Sequence, residues 1–295
     1  MPELPDLSVY LECIEARALG QRLTGLRIGH PFLLRSVTPP PAAFLGRKLQ
    51  STGRIGKRLV LEFDGGMRAV IHLMILGRLH WKKPKAALPK GSGLAAFDFD
   101  KGTLLLTESG KKRRAALHLL DASASSAELD RGGAEVFELE PAAFGERLQR
   151  ENHTLKRALT DPRIFAGIGN AYSDEILHRA RLSPFKQTRG LSSDEQARLY
   201  AASRAVLSEW TQQLRIEAAH NGGWPPRVTA FHPQMAVHGR YLKPCPDCGS
   251  PVQRIVYSSN EANYCARCQT EGRLLADRAL SRLLHDSWPK TLDDA

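Results

Sequence analysis

The chain contains no apolar stretch approaching the roughly 18 residues that a membrane span requires. Its first apolar run, residues 9–14, is broken by Glu12, and the longest candidate, residues 67–81, carries Arg68, His72, Arg78 and His80. An export signal is missing too: such a segment has a basic start and an apolar core, whereas this chain opens Met-Pro-Glu-Leu-Pro-Asp. Both absences point to a cytoplasmic protein, nucleoid-associated if bacterial. Cysteine is scarce. Of five in 295 residues, four fall two by two near the C-terminus and Cys13 stands alone in a helix-like segment. In a reducing compartment that pattern points to metal rather than disulfides. Acidic residues are in deficit, 31 against 42 Lys and Arg, and the resulting formal charge of +11 suits a polyanionic partner. The 42% of apolar residues rules out wholesale disorder and suffices for two packed domains.

Pro2 and Pro5 sit where only the first turn of a helix accepts them, and Leu7, Leu11, Ile14 and Ala18 continue at helical spacing to a stop near Gly20. Short β-type runs follow, such as 59–63, 68–76 and 103–107, with turn signals at Asp64-Gly65-Gly66 and Asp100-Lys101-Gly102. Closely spaced strands with hairpin turns favour a sandwich. The expected organisation is α+β and multidomain: a β-sandwich flanked by helices over 1–121, a linker over 122–140, helices over 141–230, a cysteine-bearing unit over 231–272 and a helical extension over 273–295. The linker rests on the Ser, Ala and Gly content of 122–133; helices are expected to open at Asn170 and at Ser192 or Ser193. No internal repeat is evident.

Cys245-Pro-Asp-Cys248, then 16 residues, then Cys265-Ala-Arg-Cys268, is a four-thiolate set able to close tetrahedrally around one Zn²⁺. Four ligands leave the metal no open position, so the zinc is structural. Lys111, Lys112, Arg113 and Arg114 crowd what reads as one end of a hairpin, and suit either a phosphate backbone or plain solvent. Gly167-Ile168-Gly169-Asn170 places two glycines and an Asn at a helix N-terminus, which is an anion site or simply a cap. Removal of Met1 before a small residue exposes Pro2 as a secondary amine. With a reference pKa of roughly 7.7–8.0, lowered by the helix, it is a nucleophile for carbonyl-like carbon, and Glu3 is the adjacent acid.

Taken together, Pro2-Glu3-Leu4-Pro5, Lys57 just before a strand, Ile71-His72-Leu73, Gly167 to Tyr172, Val237-His238-Gly239-Arg240 and the four-cysteine finger resemble the formamidopyrimidine-DNA glycosylase and endonuclease VIII family, in order and spacing over nearly the whole chain. The resemblance implies an N-terminal β-sandwich, a helix–two-turn–helix domain and a zinc-finger hairpin, with DNA bound between the two halves and a monomeric enzyme. It implies that Pro2 forms a Schiff base with the deoxyribose of a flipped, damaged nucleotide, that Glu3 protonates the sugar, and that β-elimination then cuts the strand. Lys57 and Asn170 match phosphate contacts. His72, Lys156, Gly169, Tyr172, Arg240 and Asn260 join the DNA-contacting set, with Met74 or Ile75 and Arg113 or Arg114 as wedge residues filling the gap left by the base.

Several positions depart from that pattern. The family's finger arginine, five residues before the third cysteine, is Asn260 here, so a clamp on the lesion phosphate is missing and a second elimination is not expected. No phenylalanine follows Arg114, Asp6 stands where glutamate is usual, and the stretch between Trp224 and Gly239 is short. Leu274, Leu275, Ala279, Leu283 and Leu284 suggest a short helix packed on the finger. The function expected is a bifunctional glycosylase and abasic-site lyase acting on damaged double-stranded DNA. The alternative is a non-catalytic protein that binds damaged or branched DNA.

Overall fold

A computed structural model of the chain describes all residues except 111, 227–231, 258–259, 277–281, 284–288 and 293–295. It divides into two compact units that do not follow the linear order: Met1–Arg131 with Trp210–Thr229, and Gly132–Glu209 with Ala230–Ala295.

In the first unit, helix α1 spans Leu4–Ala18 and buries Leu4, Leu7, Tyr10, Ile14 and Ala18. Eight strands follow: β1 (Leu23–Ile28), β2 (Leu49–Ile55), β3 (Arg58–Phe63), β4 (Met67–His72), β5 (Gly77–Lys82), β6 (Gly93–Phe99), β7 (Gly102–Glu108) and β8 (Ala116–Leu120). They form two antiparallel sheets, ordered β1-β6-β7-β5 and β2-β3-β4-β8. Gly65 and Gly66 turn β3 into β4 with φ of 70° and 71°, a conformation that glycine adopts without steric cost. Leu59, Leu61, Phe63, Ala69 and Ile71 of one sheet share a single core with Phe97, Phe99, Leu104 and Leu106 of the other and with α1. Phe63 stacks on Phe99 at 6.4 Å. Each such fully buried Leu or Phe contributes about 1.5–3 kcal/mol, which is what holds the sheets face to face.

Three expectations change here. The basic run around residues 111–114 does not tip a hairpin: β7 and β8 belong to different sheets, and the loop between them crosses from one to the other. Its Lys111 lies outside the described residues. The first part of the segment expected as a linker is pinned to the sandwich, because Arg68 donates to Ala124 O and Ser126 Oγ and Arg58 donates to Leu129 O at 2.9 Å, while its residues from Gly132 on belong to the second unit. Finally, the last helix before the finger does not stay with the helical unit. Its residues from Trp210 on belong to the first unit, where Leu214 and Ala218 pack on Val9 and Cys13 and Arg215 pairs with Glu12 at 2.7 Å.

The second unit contains α2 (Pro141–Gln149), α3 (Leu155–Thr160), α4 (Asn170–Ala180) and the part of α5 (Ser193–His220) up to Glu209. Thr154 caps α3 and Gly169 precedes α4. A hairpin of β9 (Val252–Tyr257) and β10 (Asn260–Cys265) and the short α6 (Ala266–Thr270) complete it. Beyond α6 the chain returns to the hairpin: Leu274, Leu275 and Leu292 pack on Ile255, Tyr264 and Ala266, and Tyr264 Oη accepts from Leu275 N at 2.7 Å. Leu274 and Leu275 pack as expected, but in non-helical chain beside an antiparallel bridge between Arg273 and Thr291 rather than on a helix. Leu283 is 75% exposed, so it does not pack on the finger, while Ala279 and Leu284 lie outside the described residues. No helix among the described residues is long and apolar enough to cross a membrane.

Candidate active site and nucleic-acid interface

In the first unit the site is built at the start of α1. Glu3 is the N-cap, and its backbone N–H donates to Asp6 Oδ2 at 2.8 Å in a capping box. Pro2, Glu3 and Asp6 are all buried, the two carboxylates to 2% and 3% exposure. Burial raises the Asp6 carboxyl to about 7. The terminal amine of Met1 is held below its usual value chiefly by burial, with Glu3 and Asp6 pulling it up and Lys57 and Arg78 pushing it down. One amine, two carboxylates and two cations therefore share one electrostatic neighbourhood. Lys57 reaches it from the turn between β2 and β3, just before Arg58, as its sequence position suggested. Arg78 was not singled out as a site residue; in the sequence it only interrupts an apolar run, and nothing local marks it as a neighbour of the N-terminus.

His72 ends β4 opposite Arg58 and Ala116. Burial first, then Arg58, Lys57 and His118, lower its pKa to about 4. At neutral pH it is uncharged, so it offers a nucleic acid a hydrogen bond and no charge. The turn that follows closes with Gly77 N donating to Leu73 O at 2.9 Å, and Met74 takes a φ of 53°. This conformation leaves Met74 half-buried and brings Ile75 (55% exposed) and Leu76 (41% exposed) to the surface as an adjacent apolar pair. Of the two wedge candidates read from the sequence, Ile75 is the exposed one, and its exposed neighbour is Leu76 rather than Met74. In the loop between β7 and β8, the buried Glu108 carboxylate accepts from Arg114 N and Ala115 N at 2.9–3.0 Å. The Arg113 guanidinium donates to Gly91 O, whereas the Arg114 side chain is exposed. That geometry favours Arg114 over Arg113 as the arginine available to a partner.

In the second unit, Gly167 adopts a φ of 82°, the buried Gly169 precedes α4, and Asn170 opens it half-exposed. The half-exposed Asn170 side chain thus stands at the positive end of the α4 dipole, where an anion is favoured. Two residues expected to contact DNA do not face solvent. Tyr172 is 2% exposed and belongs to the core. Lys156 is 3% exposed, its ammonium spent on Asp174 Oδ1 at 2.5 Å, Asn170 O at 2.7 Å and Ser173 Oγ at 2.8 Å. The sequence pattern could not distinguish this internal cation from a surface one. Arg240 is half-buried, with Nη1 donating to Pro233 O at 3.0 Å and Nε without a partner. Asn260 opens β10 opposite Tyr257, its side chain outside the described part. Glu175 and His238, which the candidate set omits, are buried beside Asp174 and join α4 to the segment entering the finger.

The four cysteines meet as the spacing required. Cys248 Sγ and Cys265 Sγ are 3.4 Å apart, Cys245 Sγ and Cys268 Sγ 4.0 Å, and all four lie within 4.8 Å of one another. Zn–S bonds of about 2.3 Å in a tetrahedron set sulfurs about 3.8 Å apart, so the set fits one structural Zn²⁺. His178 of α4 stands 3.3 Å from Cys245 Sγ.

Known proteins share both halves of this arrangement. Residues 1–116 match the formamidopyrimidine-DNA glycosylase N-terminal domain, residues 134–217 the H2TH domain of the same enzymes, and residues 243–270 the zinc finger found in FPG and IleRS. The chain is 31% identical to formamidopyrimidine-DNA glycosylase of Chloroflexus aggregans over 91% of its length and 98% of the relative's. It is 33% identical to that of Thermus thermophilus over 92% of its length and 100% of the relative's. The crystal structure of MutM (Fpg) from Thermus thermophilus superposes with a TM-score of 0.75 at 31% identity, covering 92% of this chain and 100% of that one. Lactococcus lactis Fpg bound to abasic-site DNA superposes at 0.78 and 21% identity, covering 91% and 99%. With relatives above 30% identity aligned along nearly their whole length, and the thiolate set and N-terminal carboxylates standing as described, the chain belongs to the formamidopyrimidine-DNA glycosylase family.

Proposed function

We propose that this chain is a bifunctional DNA glycosylase and abasic-site lyase of base excision repair, with Pro2 as nucleophile, Glu3 as proton donor and Lys57 as phosphate contact. The observation that carries the reading is the gathering of a buried Glu3 carboxylate, Lys57 and Arg78 around the amine end of the chain. With Met1 in place, the Pro2 nitrogen is an amide and inert. Hydrolytic loss of Met1 leaves a secondary amine in the same surroundings, where burial and two cations favour its neutral, nucleophilic form.

The steps then follow from the groups present. The Pro2 nitrogen bonds to C1′ as the bond from C1′ to the base breaks, the departing base taking the proton the amine gives up. Glu3 then gives its proton to the ring oxygen as the bond from C1′ to that oxygen opens. The resulting iminium acidifies the C2′ proton. Its removal expels the 3′ oxygen with its phosphate, cutting the strand, and water later hydrolyses the iminium to free Pro2. A base within a duplex cannot reach such a site, so it must swing out at a cost of a few kcal/mol. Ile75 and Leu76 are the exposed apolar pair suited to fill the gap, and Arg114 is the exposed one of the two candidate arginines in the loop between β7 and β8. The half-exposed Asn170, at the positive end of α4, suits a backbone phosphate. The Lactococcus relatives, solved with abasic-site and Fapy-dG DNA, support damaged duplex DNA as the substrate class.

The deciding experiment is borohydride reduction in the presence of an abasic-site duplex. A covalent adduct is expected with the processed chain and absent from Pro2→Gly and from a form that retains Met1. Equal adduct from all three would overturn the assignment of Pro2.

A further inference from the structure

Two adjacent carboxylates of α4, Asp174 and Glu175, are 1% and 5% exposed. Both reach out of the helix to the segment that leads into the finger. Glu175 accepts the successive backbone N–H groups of Ala236, Val237 and His238 at 2.7, 2.9 and 2.9 Å, an anion nest made of main chain. Asp174 takes the Lys156 ammonium on Oδ1 and the His238 ring on Oδ2, at 2.7 Å from Nδ1. Asn263 Nδ2 of β10, two residues before Cys265, donates to that same Oδ2 at 3.3 Å. His238 is therefore held twice, by its main chain and by its ring, two residues before Arg240. On the other side of Asp174, Lys156 donates to the carbonyl of Asn170 at 2.7 Å.

We infer that His238 is a positioning residue: its Nδ1–H bond to Asp174 fixes Arg240 and the finger hairpin at a set distance from the Asn170 turn, so that both engage one DNA backbone together. The inference rests on the proposed DNA-binding role of these elements. The physical reason is entropic. Two contact points on separately moving segments must each be ordered when DNA binds, whereas two points locked to one helix are ordered beforehand and bind at lower cost. Loss of the ring bond alone leaves the Glu175 nest and the zinc in place. The finger then stays attached to α4 but is no longer locked to it, and affinity suffers while the fold does not.

The test uses the full zinc-loaded chain and a fluorescent abasic-site duplex. His238→Leu is expected to weaken binding about tenfold and to flatten the slope of log K against log salt by about 0.9, the value of one phosphate contact. It is also expected to raise KM for strand cleavage about tenfold with kcat within about twofold. Zinc content and melting temperature stay at the wild-type level. His238→Asn, whose amide N–H stands near the Nδ1 position, restores affinity to within about threefold. Asn263→Ala, which removes the second donor to the same oxygen, shows the same pattern at smaller size, so the result does not hang on one variant's folding. Wild-type affinity and salt slope in His238→Leu, or no rescue by a folded, zinc-loaded His238→Asn, overturns the inference. If the wild-type chain binds the duplex without trapping or cutting it, the enzymatic reading fails and the binding measurements still decide the role of His238.

Discussion

Replacing Lys156 by methionine separates two readings of that residue sharply. As a surface phosphate contact it would be dispensable for folding, and its loss would lower DNA affinity and the salt slope by about one contact. The structure instead buries its ammonium among Asp174, Asn170 O and Ser173 Oγ. Removing one partner of a buried pair leaves the other charge uncompensated, at a cost of about 3–5 kcal/mol. Asp174 keeps donors from His238 and Asn263 on its second oxygen, which argues for the lower end, about 3 kcal/mol. The second unit has roughly 140 residues, and an unfolding entropy near 2.1 cal/mol/K per residue converts that loss into a fall of about 10 °C in its melting temperature. Calorimetry of the zinc-loaded protein measures it. The double variant Lys156→Met/Asp174→Leu removes both charges and is expected to recover at least half of the loss. Melting of Lys156→Met within about 2 °C of wild type, or a double variant whose loss is the sum of the two single losses, would refute the assignment of Lys156 as an internal structural cation.

Four further outcomes are expected. Because burial raises the Asp6 carboxyl from 3.8 to about 7, the folded chain keeps a proton that the unfolded chain loses above about pH 4. That contribution to stability falls by about 4 kcal/mol as pH rises from 4 to 7 and is level above. Urea midpoints measured across this range should show a shallower decline in Asp6→Asn, and an unchanged decline contradicts the burial argument. Gly77→Ala sets a Cβ 2.2 Å from Leu73 O, so the turn presenting Ile75 and Leu76 must reopen. Adduct formation with an intact lesion-bearing duplex should drop more than with a pre-formed abasic site in single-stranded DNA, where no base has to be swung out. With Asn260 in place of the finger arginine, the cleavage product on a sequencing gel is mainly β-eliminated, and abundant β,δ-product would show that another cation serves. A chelator that strips the zinc should unfold the β9–β10 hairpin and abolish duplex binding, while the N-terminal sandwich keeps its melting transition.

What was legible in the sequence was local chemistry. The proline and carboxylates at the head of α1 announce a capped helix, the β3–β4 turn follows from Asp64-Gly65-Gly66, and α4 opens at Asn170 after Gly167 and Gly169. The basic loop was misread as a hairpin tip because strand-like runs carry no information about which sheet they join. Its true connection is made by Glu108, which caps the amides of Arg114 and Ala115 within the loop. Arginines 58 and 68 turned a Ser- and Gly-rich stretch into a fixed part of the sandwich by taking its carbonyls. Such contacts bridge more than fifty residues and leave no mark in a local window.

The amino-acid order alone set the chemical repertoire: a tetrahedral thiolate set from two close cysteine pairs, an amine and an acid side by side, and a turn of glycines before a helix. Each depends on groups a few residues apart, whose spacing the covalent chain enforces. The tertiary structure decided addresses. It placed Arg78 and Lys57 beside the terminal amine, turned Lys156 and Tyr172 inward, exposed Ile75 and Leu76, and tied His238 to Asp174. The reason is that the free energy of burying a charge or an apolar side chain depends on what the rest of the fold brings against it. The same lysine is a phosphate contact in water and an internal tie beside a sequestered carboxylate.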